Sequence, residues 1–442
     1  MGCYGTIFAL SSGRPPAGLA VVRISGPQAQ IAGIRLAGRL PEPRRATLAV
    51  LRDAEGAPLD RALVLFFPGP ASATGEDLVE FHLHGGRAVV AAVLAALAAV
   101  PDLRLAEPGE FSRRAHANGK MDLAEVEGLA DLIAAETEAQ RKQAFGLASG
   151  ALSRRVEGWR ARLVRALMLV EAGVDFSDEG DVPDSLLAPA RAEARHLADE
   201  LAQAIADARR GERVRDGMTV AIAGPPNAGK STLLNRLAGR EAAIVSAIPG
   251  TTRDLLEVHL DLGGQAVTLI DMAGLRETED AIEAEGVRRA RARAASADLV
   301  LWLSPDDSPP PPDLPESVPV RTKSDLWGPG AFSGEAGQSG DGEARPVAIS
   351  AATGAGVEVL VALLSRRAEA LTGREPALVT RARQREALEG ALAHLERAQA
   401  NAADELLAED LRLAARALDR VVGRVDVEDV LDALFRSFCI GK

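Results

Sequence analysis

Residues 224–232 read GPPNAGKST, and this stretch decides the fold of the middle of the chain. It satisfies the pattern G-x-x-x-x-G-K-[ST]. The apolar run 220–223 precedes it and a helical pattern over 233–237 follows it, which is the strand, loop and helix order of a phosphate-binding loop. In such a loop, backbone N–H groups surround the phosphates, Lys230 reaches the β- and γ-phosphates, and the Ser231 hydroxyl binds Mg²⁺. A chance glycine-rich turn would not combine the Lys-Ser pair with both flanks.

Two later segments occupy the positions of GTPase switches. The sequence GTTRD at 250–254 follows the loop, and Thr252 is predicted to close over the γ-phosphate and Mg²⁺. A buried run then leads into DMAG at 271–274. Asp271 is predicted to steady the metal through water, since Mg²⁺ keeps much of its hydration. Gly274 allows the backbone to approach the γ-phosphate.

The guanine base is predicted to bind the sequence TKSD at 322–325. Asp325 can accept hydrogen bonds from guanine N1–H and the 2-amino group, a pair that adenine does not offer. Residues 350–352 (SAA) follow another apolar strand and complete the base pocket. Thr322 stands where this motif usually has Asn, so the loop loses a side-chain amide that braces it and the base. We expect guanine selectivity to survive through Asp325, with weaker binding.

The catalytic groups are less regular. Many GTPases place Gln directly after Asp-x-x-Gly to orient the attacking water, but this chain has Leu275 there. Glu283 is the best candidate within the same switch, and the alternative is that it is a solvated glutamate. Asn227 in the phosphate loop could ligate a monovalent cation that replaces an arginine finger, or it could simply cap the loop.

The bulk composition bounds the class of protein. The chain has 442 residues, 47% hydrophobic and 26% charged, with a net charge of −12. These values predict a soluble protein of two or three domains and argue against non-specific nucleic-acid binding by its whole surface. The chain has only two cysteines and no basic leader before an apolar core, which predicts a cytoplasmic protein. No apolar run is long enough for a bilayer, which predicts that there is no membrane segment.

The rest of the chain predicts an inserted nucleotide domain. Residues 1–120 read as α+β, with an Ala-rich helix at 88–100. Over 121–215 and 378–442, apolar residues recur at three- and four-residue steps, which predicts helices. These helical stretches bracket an α/β domain at 216–377, so we predict one helical domain with the nucleotide module inserted. The β-like runs of the first domain are 4–10, 19–24, 46–51, 62–67 and 78–83.

Several segments together resemble the MnmE (TrmE) family of tRNA-modification GTPases. The matching segments are GLAVVRISG at 18–26, EFHLHGG at 80–86, the block 108–123 and FCIGK at 438–442, besides the nucleotide motifs. The resemblance covers essentially the whole chain. The chain departs from the family at Thr322, at Met272 where the family usually has Thr, and over 305–345. That last region is Pro-rich and then Gly/Ser-rich, which predicts flexible surface insertions.

The resemblance implies a multidomain α/β and α+β architecture. Its parts are a tetrahydrofolate-binding and dimerisation domain at 1–120, a helical domain at 121–215 and 378–442, and a Ras-like G domain at 216–377. It also implies that 5-formyltetrahydrofolate or a methylene-tetrahydrofolate contacts Arg23, Glu80, Lys120 and Lys442. A carboxylate can read the pterin edge, and cations suit the polar groups and glutamate tail of a folate.

The resemblance also extends the nucleotide site. It implies K⁺ at Asn227, with oxygens from Ser246, Ile248 and Thr251, and Mg²⁺ at Ser231 and Thr252. Glu283, Lys230 and Asn227 are the expected catalytic residues. The expected GTP contacts are Asn227, Ala228, Gly229, Lys230, Ser231, Thr232, Ser246, Ala247, Ile248, Pro249, Gly250, Thr251, Thr252, Asp271, Met272, Ala273, Gly274, Thr322, Lys323, Asp325, Ser350, Ala351 and Ala352.

The implied reaction is the addition of a carboxymethylaminomethyl or aminomethyl group to C5 of the wobble uridine of certain tRNAs. Folate would supply one carbon, and an FAD-dependent MnmG-type partner, in a heterotetramer or larger complex, would supply redox chemistry. GTP hydrolysis would drive the conformational cycle of a homodimer. The alternatives are a ribosome-assembly or signalling GTPase without a modification role, and a folate enzyme whose G domain has decayed. His82 and His84 share a strand face and predict a structural role, and Cys439 a small packed residue.

Overall fold

The structure is a computed structural model, and it describes most of the chain in eleven segments. These are residues 5–175, 187–240, 242–244, 257–271, 297–311, 316–327, 347–373, 376–400, 403–425, 428–438 and 440–441. The chain divides into two compact units. The first contains Met1–Ala130, Leu147–Glu171 and Ala408–Lys442, and the second contains Asp131–Gly146 and Ala172–Leu407.

The first unit is built on a mixed six-stranded sheet. The strands are β1 (Thr6–Leu10), β2 (Leu19–Ser25), β3 (Thr47–Arg52), β4 (Pro58–Phe67), β5 (Leu78–His84) and β6 (Leu103–Leu105), in the order β3-β4-β5-β2-β1-β6. All neighbouring pairs are antiparallel except β1 and β6. Side chains alternate between the two faces of a strand, and Ala20, Val22 and Ile24 of β2 are fully buried in the core. Helices α1 (Ala29–Ala37) and α2 (Arg87–Ala98) supply the other half of this core.

Four further helices belong wholly or mainly to the first unit. They are α3 (Glu110–Ala117), α4 (Leu123–Ala134), α6 (Ala151–Asp175) and α12 (Glu428–Ser437). Phe435 of α12 is fully buried against Leu123 and Val126 of α4. The main chain adds to this packing, because the Leu123 amide donates to the Val422 carbonyl at 3.1 Å. The C-terminal helix and the start of the helical segment therefore share one core.

The second unit contains a second six-stranded sheet. Its strands are β7 (Met218–Ala223), β8 (Glu257–Leu262), β9 (Gln265–Asp271), β10 (Leu299–Ser304), β11 (Ser317–Arg321) and β12 (Val347–Ala348), in the order β12-β11-β10-β7-β9-β8. All pairs are parallel except β8 with β9. The two central strands, β7 and β10, are nearly continuous apolar runs, as expected where a parallel sheet is buried on both faces. Helices α8 (Lys230–Ala238) and α9 (Val357–Thr372) contribute to its core.

The described part of the second unit contains three further helices. They are α5 (Glu138–Ala148), α7 (Leu187–Asp216) and α10 (Ala382–Ala400). Helix α11 (Asp404–Val421) begins in the second unit, but most of it lies in the first. Helices α7 and α10 pack along their lengths. The predicted fold class, an α+β domain with helical segments and a parallel P-loop sheet, is confirmed. None of the described helices is apolar over enough of its length to cross a bilayer.

Candidate functional sites

The phosphate loop leaves β7 at a glycine that no other residue could replace without a shift. Gly224 has φ +146°, and a Cβ built there would lie 2.1 Å from the carbonyl oxygen of Leu303 in the neighbouring strand. Gly229 has φ +96° and immediately precedes helix α8, but a Cβ there would meet open space. The first glycine is thus required by close packing and backbone conformation, and the second by conformation alone.

Lys230 is folded over its own loop. Its side chain is buried, and its ammonium donates to the carbonyl oxygens of Gly224 at 2.8 Å and Pro225 at 2.9 Å. Phosphate oxygens are charged acceptors and form stronger hydrogen bonds to an ammonium than neutral carbonyls do. The lysine is consequently positioned at the mouth of the loop, where an anion could replace these internal acceptors.

A hydroxyl and a carboxylate face each other beside the loop. The Ser231 hydroxyl donates to Oδ2 of Asp271 at 3.4 Å. Asp271 is buried at the end of β9 and pairs in register with Ile222 of β7. Both groups supply the oxygen ligands that Mg²⁺ prefers, so this pair fits the predicted metal. Asn227 is exposed at φ +60°, a left-handed conformation that Asn tolerates better than most residues.

The base loop lies at the carboxyl end of β11. Asp325 is exposed within a short 3₁₀ turn, Ser324–Leu326. The Ser324 amide donates to the Ile349 carbonyl at 3.1 Å, and the Ile349 amide donates to the Arg321 carbonyl at 2.8 Å. These two bonds tie the TKSD loop to the segment that leads into Ser350, so the two predicted halves of the base pocket are neighbours.

An arginine that the sequence did not single out joins the phosphate loop to the base pocket. Arg236 lies on α8, the helix that begins at Lys230, and its guanidinium donates to the carbonyl oxygens of Ala351 and Ala352. The contact spans more than a hundred residues of sequence, and no local pattern could have indicated it. It fixes the second base-pocket segment to the helix of the phosphate loop.

The described nucleotide residues therefore gather at one end of the sheet. Parallel strands bring their carboxyl ends to one edge, and this is where ligands bind in open α/β sheets. The residues there are Asn227, Ala228, Gly229, Lys230, Ser231, Thr232, Asp271, Thr322, Lys323, Asp325, Ser350, Ala351 and Ala352. Ser246, Ala247, Ile248, Pro249, Gly250, Thr251, Thr252, Met272, Ala273, Gly274 and Glu283 lie outside the described residues.

A second polar site lies on the sheet of the first unit. Arg23 and Glu80 are register partners on β2 and β5, and Nε of Arg23 donates to Oε1 of Glu80 at 2.7 Å. Nε2 of His82 lies 3.1 Å from the other carboxylate oxygen. Burial acts to raise the pKa of Glu80, but the hydrogen bonds from His82 and Arg23 outweigh it, and the pKa is lowered. Glu80 is thus an ionised acceptor at neutral pH.

The remaining predicted folate residues are less closely tied to this pair. Lys120 is exposed just after α3, and its amide donates to the Ala115 carbonyl at 2.8 Å. In the C-terminal tail, Ile440 forms a bridge with Pro108. Gly441, at φ +100°, lies so close to β1 that a Cβ would be 2.0 Å from the Leu10 carbonyl oxygen. Lys442 and Cys439 lie outside the described residues.

The two histidines of β5 each pair with an acid and not with each other. His82 contacts Glu80, and Nδ1 of His84 lies 2.8 Å from Oδ1 of Asp60. Among the described residues, no group of three or more metal-ligating side chains converges on one point. The spacing Glu-x-His on one strand face could have revealed the first of these pairs, since alternate residues point to the same side.

A buried charge network supports this second site. Arg114 on α3 is almost fully buried and forms ion pairs of 2.9 Å with both Glu110 and Glu76. Glu110 also pairs with Arg104 at 2.5 Å. The Ser25 hydroxyl, two residues after Arg23 on β2, donates to Oε2 of Glu76 at 2.8 Å. The family-like block at 108–123 is therefore held in place by paired charged groups.

The first site has a phosphate loop, a hydroxyl and carboxylate pair that suits Mg²⁺, and a base loop with an exposed aspartate, all on one sheet edge. This combination defines the class of P-loop guanine-nucleotide-binding proteins. Comparison with known proteins makes the assignment narrower. The chain belongs to the MnmE family of tRNA modification GTPases, because the family description "MnmE helical domain" matches residues 123–439 and "GTP-binding protein TrmE N-terminus" matches residues 6–120.

Individual relatives are similar in sequence to this chain along its full length. The chain is 66% identical over 440 residues to "tRNA modification GTPase MnmE" of Azorhizobium caulinodans, covering 99% of both chains. It is 54% identical over 451 residues to the protein of that name in Rhodopseudomonas palustris, again over 99% of both. A solved G domain of the T. maritima FeoB iron transporter is 25% identical over 34% of this chain and 97% of that one, with a TM-score of 0.21. At so low a TM-score, that likeness adds nothing to the assignment.

Proposed function

We propose that this chain is a potassium-dependent GTPase that modifies C5 of the wobble uridine of certain tRNAs with an FAD-dependent partner. The observation that carries the proposal is the convergence of Lys230, Ser231, Asp271 and Asp325 at one edge of the parallel sheet of a chain related along its whole length to tRNA modification GTPases. Residues 216–377 would be the inserted G domain that works the rest of the chain.

Each described nucleotide residue has a role that its geometry supports. Lys230 exchanges the Gly224 and Pro225 carbonyls for β- and γ-phosphate oxygens and neutralises their charge. Ser231 would hold Mg²⁺ and Asp271 would steady it through water, and the bound metal would offset the charge that develops on the phosphates. The exposed Asp325 accepts from the guanine edge. Glu283 is proposed to orient the attacking water because Leu275 cannot.

The potassium dependence rests on Asn227. Its side chain is exposed on the phosphate loop, between the buried Ala228 and the exposed Pro226. An amide oxygen there can join oxygens of Ser246, Ile248 and Thr251 as a ligand of a monovalent cation. Such a cation supplies a positive charge near the phosphates, as an arginine finger does in other GTPases.

The folate site is proposed at Arg23 and Glu80, with Lys120 and Lys442 as further contacts. Each carboxylate oxygen of Glu80 is used once, by Arg23 or by His82, and each keeps a lone pair for a donor on a pterin ring. The low pKa of Glu80 keeps it an acceptor. The C-terminal tail lies against the end of β1, next to the strand that carries Arg23, which supports a terminal lysine near the same ligand.

Dimerisation through the same domain is supported by an apolar surface on its sheet. Leu19, Leu48 and Leu63 are 65%, 49% and 43% exposed on the face away from the buried core. Leu48 is the register partner of Leu63, which in turn is the partner of His82. An apolar face that continues into the Arg23–Glu80 site fits a homodimer whose interface borders the folate.

The proposal is tested in a strain from which the chromosomal gene has been deleted. The strain is complemented with an empty vector, the wild-type gene or the Lys230→Ala gene. Tryptic integrity of the purified proteins serves as the control for folding. The wild-type gene restores wobble-uridine modification in nucleosides measured by mass spectrometry, and the variant does not. Unchanged wobble uridines without the gene would instead favour a ribosome-assembly or signalling GTPase, and absence of GTP binding at millimolar concentration would favour a decayed G domain.

A further inference from the structure

The base loop of this chain is closed by a contact between the two residues that flank it. Arg321 directly precedes the TKSD loop and Trp327 follows it after one residue. The guanidinium carbon of Arg321 lies 4.0 Å from the centre of the Trp327 ring, which is a stacking distance for a cation over an aromatic face. We call this pair the Arg321–Trp327 clasp.

A third residue orients the arginine of the clasp. Nε of Arg321 lies 3.1 Å from Oδ2 of Asp307, which is in the loop that follows β10. Asp307 itself has a left-handed backbone, φ +59°. All three side chains are partly exposed, so the arrangement lies at the mouth of the base pocket and outside the hydrophobic core.

The first side chain of the loop that the clasp closes gives the loop no support. Thr322 is buried, and within the described part of the chain its hydroxyl has no hydrogen-bond partner. Lys323 has φ +59°, a conformation that a residue with a side chain adopts only where its surroundings enforce it. The side-chain amide that an Asn would supply at position 322 is absent. Backbone hydrogen bonds hold the main chain of the loop: the Thr322 amide donates to Ser304, the Ser324 amide to Ile349 and the Trp327 amide to Ser324.

We propose that the Arg321–Trp327 clasp is a positioning device that replaces the missing Asn and holds Asp325 in place for guanine. The guanidinium is planar and lies on the ring, so it joins the start of the loop to its end. Asp307 restrains the guanidinium from the side. The clasp does not touch the phosphates, and it therefore acts equally on GDP and GTP. This inference rests on the proposed guanine-nucleotide binding.

The test is a double-mutant cycle read by calorimetric binding of GDP and GTP to the full-length protein. Trp327→Ala is expected to lower the affinity for GDP and for GTP by about fivefold, which corresponds to the loss of a partly exposed cation–π contact. Arg321→Lys keeps the positive charge but loses the planar stack, and it is expected to weaken binding by a similar factor. Arg367→Lys is the matched control. Arg367 pairs with Glu316 at 2.8 Å before the other end of β11, and its change should leave both affinities unaltered.

The rescue decides between positioning and general stability. Thr322→Asn should increase affinity about fivefold in the Trp327→Ala protein and much less in the wild type, because the amide and the clasp serve the same purpose. Equal gains in the two backgrounds, or a Trp327→Ala protein that binds as tightly as the wild type, would overturn the clasp. If the wild type itself fails to bind GDP, the proposed function fails, and that outcome is separate.

Discussion

The ammonium group of Lys230 donates a hydrogen bond to the carbonyl oxygen of Gly224 at 2.8 Å. The lysine that would bind phosphate is thus paired with the first residue of its own loop. Because the same glycine packs against Leu303 of β10, the loop, the lysine and the sheet form one connected arrangement. The loop is preorganised for an anion, and binding exchanges acceptors without rebuilding the backbone.

Lys230→Ala is expected to weaken GTP binding by about 100-fold, since two charge-assisted hydrogen bonds to phosphate are lost. Titration calorimetry with GTP and Mg²⁺ measures the change. Lys142→Ala is the control because Lys142 is an exposed lysine on α5. The Lys142→Ala protein should bind GTP with the affinity of the wild type. A Lys230→Ala protein with wild-type affinity would show that the loop does not bind phosphate in the proposed way.

The two loop glycines are expected to differ in their tolerance of alanine. Gly229→Ala meets open space and carries only the cost of a left-handed backbone, about 1–2 kcal/mol. Gly224→Ala adds a collision with the Leu303 carbonyl and should cost about 3 kcal/mol or more. Hydrogen exchange of the β7 and β10 amides measures both free energies locally. Equal protection in the two variants would contradict the close packing seen at Gly224.

The first unit should lose stability in acid through Glu110. Burial acts to raise the pKa of this carboxyl, but hydrogen bonds from Arg104, the Glu107 amide and Arg114 lower it below its ordinary value of 4.5. A lowered folded-state pKa gives stability that is fully present above pH 4.5 and is lost as the pH falls through the folded value.

The measurement for this prediction is the thermal unfolding midpoint of the first unit as a function of pH. The wild type should show a constant midpoint above pH 4.5 and a falling one below it. Glu110→Gln should start lower and fall less steeply, because a titrating group has been removed. An identical acid slope in the variant would show that Glu110 does not contribute to the acid instability.

The sequence predicted the individual strands better than the contacts between distant segments. The five β-like runs of the first domain correspond to β1 to β5 because alternation along a strand is a local signal. Helix α1 and strand β6 were missed. Helix α1 contains Gly33, a poor helix former, and the side chains of Leu40 and Val79 lie close enough to it to favour a small residue there. Strand β6 has only three residues and is fixed by its pairing with β1.

The same limit applies to the sites. The phosphate and base loops were predicted from spacing, because their chemistry resides in contiguous residues. The contacts of Arg114 with Glu76, of Arg236 with Ala351 and of Arg321 with Asp307 were not, since each partner lies in a segment that only the fold brings near. Strands β8 and β10 were not identified either, although the Gly263-Gly264 turn between β8 and β9 is a hairpin signal. The fold, and not a local pattern, supplies these residues.

Folate binding should depend on the charge of Glu80. Glu80→Gln removes an ionised acceptor and should weaken 5-formyltetrahydrofolate binding by about tenfold, as loss of a charge-assisted hydrogen bond does. Calorimetry on the full-length protein measures the affinity. Glu42→Gln is the matched control, since Glu42 forms an exposed ion pair with Arg45 in the same domain and should have no effect. Equal affinities in the two variants would remove Glu80 from the folate site.

The most direct test of the central proposal is the rate of GTP hydrolysis in KCl and in NaCl at equal ionic strength. We expect the wild type to be at least about tenfold faster in potassium, because a correctly placed cation replaces an arginine finger. Asn227→Ala should be slow in both salts while it still binds GDP. Equal wild-type rates in the two salts, or a potassium stimulation that survives Asn227→Ala, would contradict the account of a cation-assisted tRNA modification GTPase.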